Sequence, residues 1–211
     1  MERILLIGAG ALARDIIDYF GHDRFVAVFV DPEHAAGAAA LAGLDVLSDW
    51  TAARARASHY FVAIGDMAGR HHMQAAARAA GLQPASPLIS PDARLAADCR
   101  IGRGTVVGYF SMVGPAATIG EDCVVMHGCT VGHDSVLERN VVMCPGTRIG
   151  GYTRVGADVF FGPNAVLSPH VAVGAGCHVA AGAALFRDVA AKRLVIGNPA
   201  RERSLAEAGA R

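Results

Sequence analysis

The chain has 211 residues, enough for one large domain or two small ones with real cores. Its 19 Lys and Arg balance 19 Asp and Glu, which excludes the basic footprint of a nucleic-acid binder and points to a small-molecule partner. No apolar run approaches the roughly 18 to 20 residues that span a bilayer, and Ile4 to Ile7 leads into glycines rather than a signal-peptide cleavage pattern, so a cytoplasmic protein without membrane contact is expected.

The first part alternates short apolar runs with alanine-rich segments of helical character: Ile4 to Ile7, Leu12 to Phe20, Phe25 to Val30, Trp50 to Ala57, Tyr60 to Ile64 and Met67 to Ala80. That alternation predicts a small Rossmann-like α/β domain with a parallel sheet over residues 1–85. Gly8-Ala9-Gly10-Ala11-Leu12-Ala13 follows the first run and opens a helix, and Asp31 ends the next strand, which matches the G-x-G-x-x-A dinucleotide fingerprint. Taken alone the fingerprint predicts NAD. About 85 residues make only half of a full dinucleotide fold, however, and no partner for a nicotinamide is evident.

Pro84, Pro87 and Pro91 punctuate a change of rhythm, which places the domain boundary between residues 85 and 86. Beyond it Ile101, Val107, Val113, Ile119, Val125 and Val131 begin a series that recurs every six residues through Leu185 without a slip. Glycine follows most of these residues, and a small residue such as Thr105, Ser111 or Cys123 stands two positions before. One large aliphatic and one small inward residue per six implies short strands joined by tight corners, three strands closing a triangular coil of 18 residues. The glycines are read as corner residues accepting positive φ. The pattern predicts a parallel β-helix over residues 86–189 with a tail over 190–211, and its resemblance to known hexapeptide helices implies a left-handed one, an exception to the right-handed crossover rule.

Five cysteines form no CxxC pair, and Cys99, Cys123, Cys129 and Cys177 fall at the small inward position, so they are read as reduced core thiols. Cys144 has no histidine in matching phase and is not read as a nucleophile. No metal is expected: a zinc site would need a third ligand beside His127 and His133, and His170 and His178 lie at other phases of the repeat.

Unbroken hexads, a short α/β domain before them and the tail motif Gly197-Asn198-Pro199-Ala200 together resemble the sugar acyltransferases related to sialic acid O-acetyltransferases and to N-acetyltransferases of nucleotide-linked 4-amino sugars. The likeness covers nearly the whole chain. Hexapeptide helices also occur in serine, maltose and lipid A acyltransferases, nucleotidyltransferases and γ-type carbonic anhydrases, so the repeat is more specific for fold than for reaction.

The resemblance implies acetyl transfer from acetyl-CoA to an amine or hydroxyl of a sugar, nucleotide-activated, in surface-polysaccharide or glycan biosynthesis. Its general base, a histidine followed by an acidic residue on a middle coil, falls on His133 and Asp134 in Val131-Gly132-His133-Asp134-Ser135-Val136-Leu137. One coil on from His133 stands Gly151, whose backbone amide the resemblance assigns to the thioester oxygen. Pro163 and Ala181 would line the pantetheine of coenzyme A, and Asn198 would sit near its far end.

In the first domain the glycine loop, Gly8 and Gly10, would stand near a phosphate of a nucleotide sugar, with Asp31 near base or ribose. Val62-Ala63-Ile64-Gly65-Asp66, with Arg70 after it, resembles a second nucleotide-side loop, which makes Ile64 and Gly65 substrate-binding candidates. Two positions depart from the family pattern: Val142 replaces a second histidine nine residues after the base, and Leu12 replaces a histidine near the acceptor. His127 is the candidate for the missing polar contact. These departures motivate the alternative of a catalytically impaired sugar-nucleotide-binding or scaffold protein, or of another acyl donor. The flat faces of such a prism imply a homotrimer with shared sites.

Overall fold

Every residue of Ile4–Ile7 (β1) is buried, as a strand covered on both faces of a parallel sheet must be. In the computed structural model, which describes residues 2–34 and 41–205, this strand is the centre of a five-stranded sheet. Its companions are Phe25–Phe29 (β2), Val46–Leu47 (β3), His59–Val62 (β4) and Gln83–Pro84 (β5), in the order β3-β2-β1-β4-β5 with all pairs parallel. Parallel pairing demands crossovers. Ala11–Phe20 (α1), Trp50–Arg56 (α2) and Met67–Ala79 (α3) supply three of them.

Sequence chemistry explains where the second and third helices begin. Asp49 accepts a hydrogen bond from the Ala52 N–H at 2.8 Å and Asp66 one from the Gly69 N–H at 2.7 Å, each side chain satisfying an amide that the first turn leaves open. Gly10 at the start of α1 offers no such side chain. Leu5, Ile7, Phe29, Tyr60 and Met73 form the core of this unit, with the Phe29 and Trp50 rings stacked at 3.9 Å.

The chain divides between Leu88 and Ile89 into two compact units. The second is a left-handed β-helix of three parallel sheets built from two-residue strands. Val113, Val131, Ile149, Leu167 and Leu185 pair in sequence down one sheet, each 18 residues from the next. Each of these side chains is at most 2 % exposed, and burying one stabilises the fold by about 1.5–3 kcal/mol. Arg193–Ile196 adds a parallel strand beside His178–Val179, and Arg201–Ser204 pairs back on it antiparallel. Residues 206–211 of the predicted tail lie outside the described residues.

Small inward residues at the corners do more than save space. Thr105 Oγ1 donates to the Gly120 carbonyl at 2.8 Å and accepts from the Cys123 N–H at 3.0 Å; Ser111 does the same with Met126 and Cys129. Corner backbone groups that point inward are thus satisfied without water. The cysteines take part: Cys123 and Cys129 donate through Sγ to the carbonyls of Glu138 and Cys144, both at 3.2 Å. Burial pushes the Cys129 thiol up to about 12 and the Cys144 thiol up to about 11.

The role predicted for the glycines needs correction. Positive φ falls two residues later than expected, at Phe110, Ala116, Asp122, Gly128, Asp134, Asn140, Gly146 and Tyr152 and onward. The glycines that follow the aliphatic residues serve close approach instead. A Cβ on Gly102 would lie 2.5 Å from the Gly120 carbonyl carbon, and one on Gly120 2.7 Å from the Arg139 amide nitrogen. Stacked coils leave no room for a side chain there.

Candidate active site

His133 and Asp134 stand at the corner after the strand Thr130–Val131. Asp134 occupies the left-handed corner position with φ 57°, which a short carboxylate side chain tolerates better than most. This backbone turns its carboxylate back onto its neighbour, and Asp134 Oδ2 lies 2.9 Å from His133 Nδ1. A carboxylate only accepts, so the bond puts the ring proton on Nδ1 and leaves the lone pair of Nε2 available. Both side chains remain open to solvent, at 53 % and 43 % exposed.

Gly151 lies against the imidazole. A Cβ built there would meet His133 Nε2 at 2.6 Å and Cε1 at 2.8 Å. The 18-residue period therefore brings His133, Asp134 and Gly151 together as the sequence predicted. The peptide between Gly150 and Gly151 is held from inside the prism: Ser135 Oγ and Thr153 Oγ1 each donate to the Gly150 carbonyl at 2.9 Å. A trans peptide sets its N–H opposite its C=O, so the Gly151 N–H points away from the interior. Among the described residues it has no hydrogen-bond acceptor.

Other candidates occupy the next corner of the prism. His127, Pro163 and Ala181 belong to one column with Tyr109 and Pro145, marked by the Gly128 N–H to Tyr109 carbonyl bond at 3.0 Å, Gly146 to His127 at 3.2 Å and Gly182 to Pro163 at 2.8 Å. One strand of the coil separates His127 from His133, so within the chain they do not meet. The His127 ring stacks on Tyr109 at 5.1 Å. Val142 is 1 % exposed, between Val124 and Phe160 on its sheet, and presents no side-chain surface to a ligand. Asn198 lies in the turn between Arg193–Ile196 and Arg201–Ser204, where Pro199 and Ala200 join Leu185, Phe186 and Arg187 around a cavity of about 530 Å³.

In the first unit the two candidate loops abut. Gly8 has φ 113°, and a Cβ on it would lie 2.6 Å from the Ala63 carbonyl oxygen and 3.0 Å from Ile64, so only glycine fits. Gly10 has open space above it, as does Gly65. Arg70 is 1 % exposed and donates to the carbonyls of Val62 at 2.8 Å and Ile64 at 3.0 Å, which pins the loop that carries Ile64 and Gly65. Asp31 accepts from the Glu33 N–H at 3.0 Å and lies 3.5 Å from His72 Nε2.

Two aromatic contacts escaped the sequence reading, Tyr109 on His127 and Tyr152 on His133. The signal was present for the second: Tyr152 lies one coil plus one residue beyond the base, at the corner position where side chains fold back. Among the described residues no three His, Cys, Asp or Glu side chains gather as metal ligands would, and no helix is long and apolar enough to cross a membrane.

The described family of bacterial transferase hexapeptide repeats matches residues 116–151 and 152–187. No curated protein matches. Among solved structures, the chain is similar to a histidine-to-asparagine mutant of perosamine N-acetyltransferase from Caulobacter crescentus in complex with CoA and GDP-perosamine, at 27 % identity over 97 % of this chain and 98 % of that one, TM-score 0.87. It is similar to the acetyltransferase domain of PglB from Neisseria gonorrhoeae in complex with acetyl coenzyme A, at 25 % identity over 96 % and 99 %, TM-score 0.84. WeeI from Acinetobacter baumannii shares the fold at 22 % identity over 96 % and 100 %, TM-score 0.84.

Proposed function

We propose that the chain belongs to the hexapeptide-repeat acetyltransferases, whose repeat model matches residues 116–151 and 152–187, and that it transfers an acetyl group from acetyl-CoA to an amine or hydroxyl of a nucleotide-linked sugar, with His133 as general base. One observation carries the reading: an imidazole fixed by Asp134 through Nδ1 presents Nε2 directly over a glycine whose amide points out of the prism.

Acetyl-CoA supplies an acetyl group activated as a thioester. His133 Nε2 takes the proton of the attacking amine or hydroxyl, and Asp134 stabilises the imidazolium that results. The Gly151 N–H donates to the carbonyl oxygen as negative charge develops there; when the C–S bond then breaks, coenzyme A leaves as the thiolate and takes up the proton held by His133. Attack is direct, and burial holds the Cys144 thiol protonated and weakly nucleophilic. The absence of a Cβ at Gly151 is the feature that fits a flat acyl group beside the base.

Acceptor binding in this reading uses the abutting Gly8 and Ile64-Gly65 loops. The N-terminal amides of α1, which no side chain caps, would meet a phosphate, with Asp31 near base or ribose. Pro163, Ala181 and Asn198 would contact coenzyme A, and His127 the acceptor. A homotrimer fits the exposed Met112 and Val166 on the six-stranded face.

The test is thiol release from acetyl-CoA over UDP-, GDP- and dTDP-linked amino sugars and free sialic acid, with His133→Ala in parallel. Release with one acceptor, abolished by the substitution, is expected. Binding of a nucleotide sugar without release would favour a scaffold or another acyl donor, and release that survives His133→Ala would remove the base assignment.

A further inference from the structure

Three sides of the His133 ring are accounted for by different atoms. Asp134 holds Nδ1, Gly151 lies beside Nε2, and Tyr152 lies against the ring with centroids 4.9 Å apart and planes at 88°. Perpendicular packing of this kind is the arrangement that aromatic quadrupoles favour. Tyr152 is itself backed by His170, whose ring stacks on it at 4.9 Å and 9°. The backbone repeats the same ladder, with the Tyr152 N–H donating to the His133 carbonyl at 2.9 Å and the His170 N–H to the Gly151 carbonyl at 3.0 Å.

Tyr152 is an unfavourable residue for its backbone. Its φ of 57° lies in the left-handed region, where a bulky side chain is uncommon; equivalent corners place Gly128, Asn140, Gly146 and Asn164 there, and among the described residues the other rings at such corners are Phe110 and His170. Half of its surface is exposed, at 51 %, so burial does not account for an aromatic ring at this corner. The ring contacts that it makes are with the candidate base and with His170.

Asp134 alone leaves the imidazole free to tilt about its hydrogen bond, because a single contact at Nδ1 defines one end of the ring. We infer that Tyr152, braced by His170, is a positioning residue that holds the His133 imidazole in the plane from which Nε2 faces the reacting group. The inference rests on the reading of His133 as the base. Tyr152 acts through the ring face and edge, so its phenol oxygen is dispensable.

Tyr152→Asn suits the left-handed backbone and keeps the fold, which its melting temperature will verify. With acetyl-CoA and the nucleotide-linked amino sugar that gives thiol release, kcat is expected to fall roughly threefold to tenfold, the range set by one aromatic contact, with both KM values within about twofold. Tyr152→Phe restores kcat, and His170→Ala gives a smaller loss than Tyr152→Asn. The ring 15N resonances of His133 in the free protein provide a readout that needs no acceptor. In Tyr152→Asn the unbraced ring swings out of line with Asp134, the hydrogen bond at Nδ1 loosens and the Nδ1 and Nε2 shifts move toward one another; in Tyr152→Phe they stay as in the parent.

Unchanged kcat and unchanged 15N shifts in Tyr152→Asn would overturn the inference. So would a Tyr152→Phe variant as impaired as Tyr152→Asn, which would make the phenol the working group, or a rise in KM at constant kcat, which would make Tyr152 a ligand contact. Full thiol release by His133→Ala would instead remove the base reading, while the 15N shifts would still decide whether Tyr152 holds the ring.

Discussion

Gly151→Ala isolates the geometry of the candidate base from the stability of the prism. Gly151 does not have positive φ, so alanine fits its backbone, and the nearest obstacles to the new Cβ are three atoms of the His133 ring, Nε2 at 2.6 Å, Cε1 at 2.8 Å and Cδ2 at 3.1 Å. The far end of a half-exposed side chain can move where backbone cannot. The ring must withdraw by about 1 Å to reach van der Waals distance, and a misplacement of that size costs on the order of 100-fold in rate. Thermal unfolding should change little, because no coil has to separate. Gly132→Ala provides the contrast. Its Cβ would run into the Gly151 amide nitrogen and the Gly150 carbonyl carbon, both main-chain atoms of the next coil, so that variant should lose stability before it loses chemistry. Thiol release from acetyl-CoA and melting temperature, measured on both variants, separate the two failures. A Gly151→Ala enzyme that keeps kcat within about threefold would refute the argument that Nε2 beside Gly151 is where the proton is transferred.

Asp134→Asn keeps a side chain that accepts φ 57° and removes the charge that stabilises the imidazolium, so melting temperature should hold while kcat falls about tenfold or more. Arg70→Met should destabilise the first unit by about 2–3 kcal/mol in urea unfolding, since the buried carbonyls of Val62 and Ile64 lose their donor. For the cysteines the sign is set by burial: Cys129 and Cys144 hold their protons more tightly folded than unfolded, so their contribution is complete below about pH 9 and is lost as pH rises toward 11 and 12. The melting temperature should fall across that alkaline window, and Cys129→Ser, which has no thiol to ionise, should blunt the fall. Burial keeps the Cys144 thiol almost wholly protonated at pH 8, so alkylation of the native protein by iodoacetamide should be slow and should accelerate with pH.

A six-residue repeat is legible because its cause is local and identical in every turn. One aliphatic residue per strand must stack on its counterpart 18 residues away, and any slip would expose the ladder, so Ile101 to Leu185 announces the prism without reference to anything distant. The same arithmetic carries from His133 to Gly151, since equal positions on successive coils are neighbours by construction. Parallel strands separated by helices were readable from Ile4–Ile7 onward for a comparable reason, the buried runs being short and continuous.

Side-chain direction at the corners is where the sequence stops. Whether glycine is required for its φ or for its missing Cβ depends on the distance to the next coil, and the coils sit so close that the second reason governs Gly102, Gly114, Gly120 and Gly132. His127 and His133 share one phase of the repeat yet stand on different edges, a separation that belongs to the triangle and not to the spacing. Tyr152 on His133 and the burial of Val142 arise from rotamers and from neighbours a full coil away, and Arg70 under the Ile64 loop from the direction its side chain takes. Composition and period determine which backbone this protein adopts, because they act residue by residue. The reach of a tyrosine ring or a guanidinium is decided only when packing closes around it.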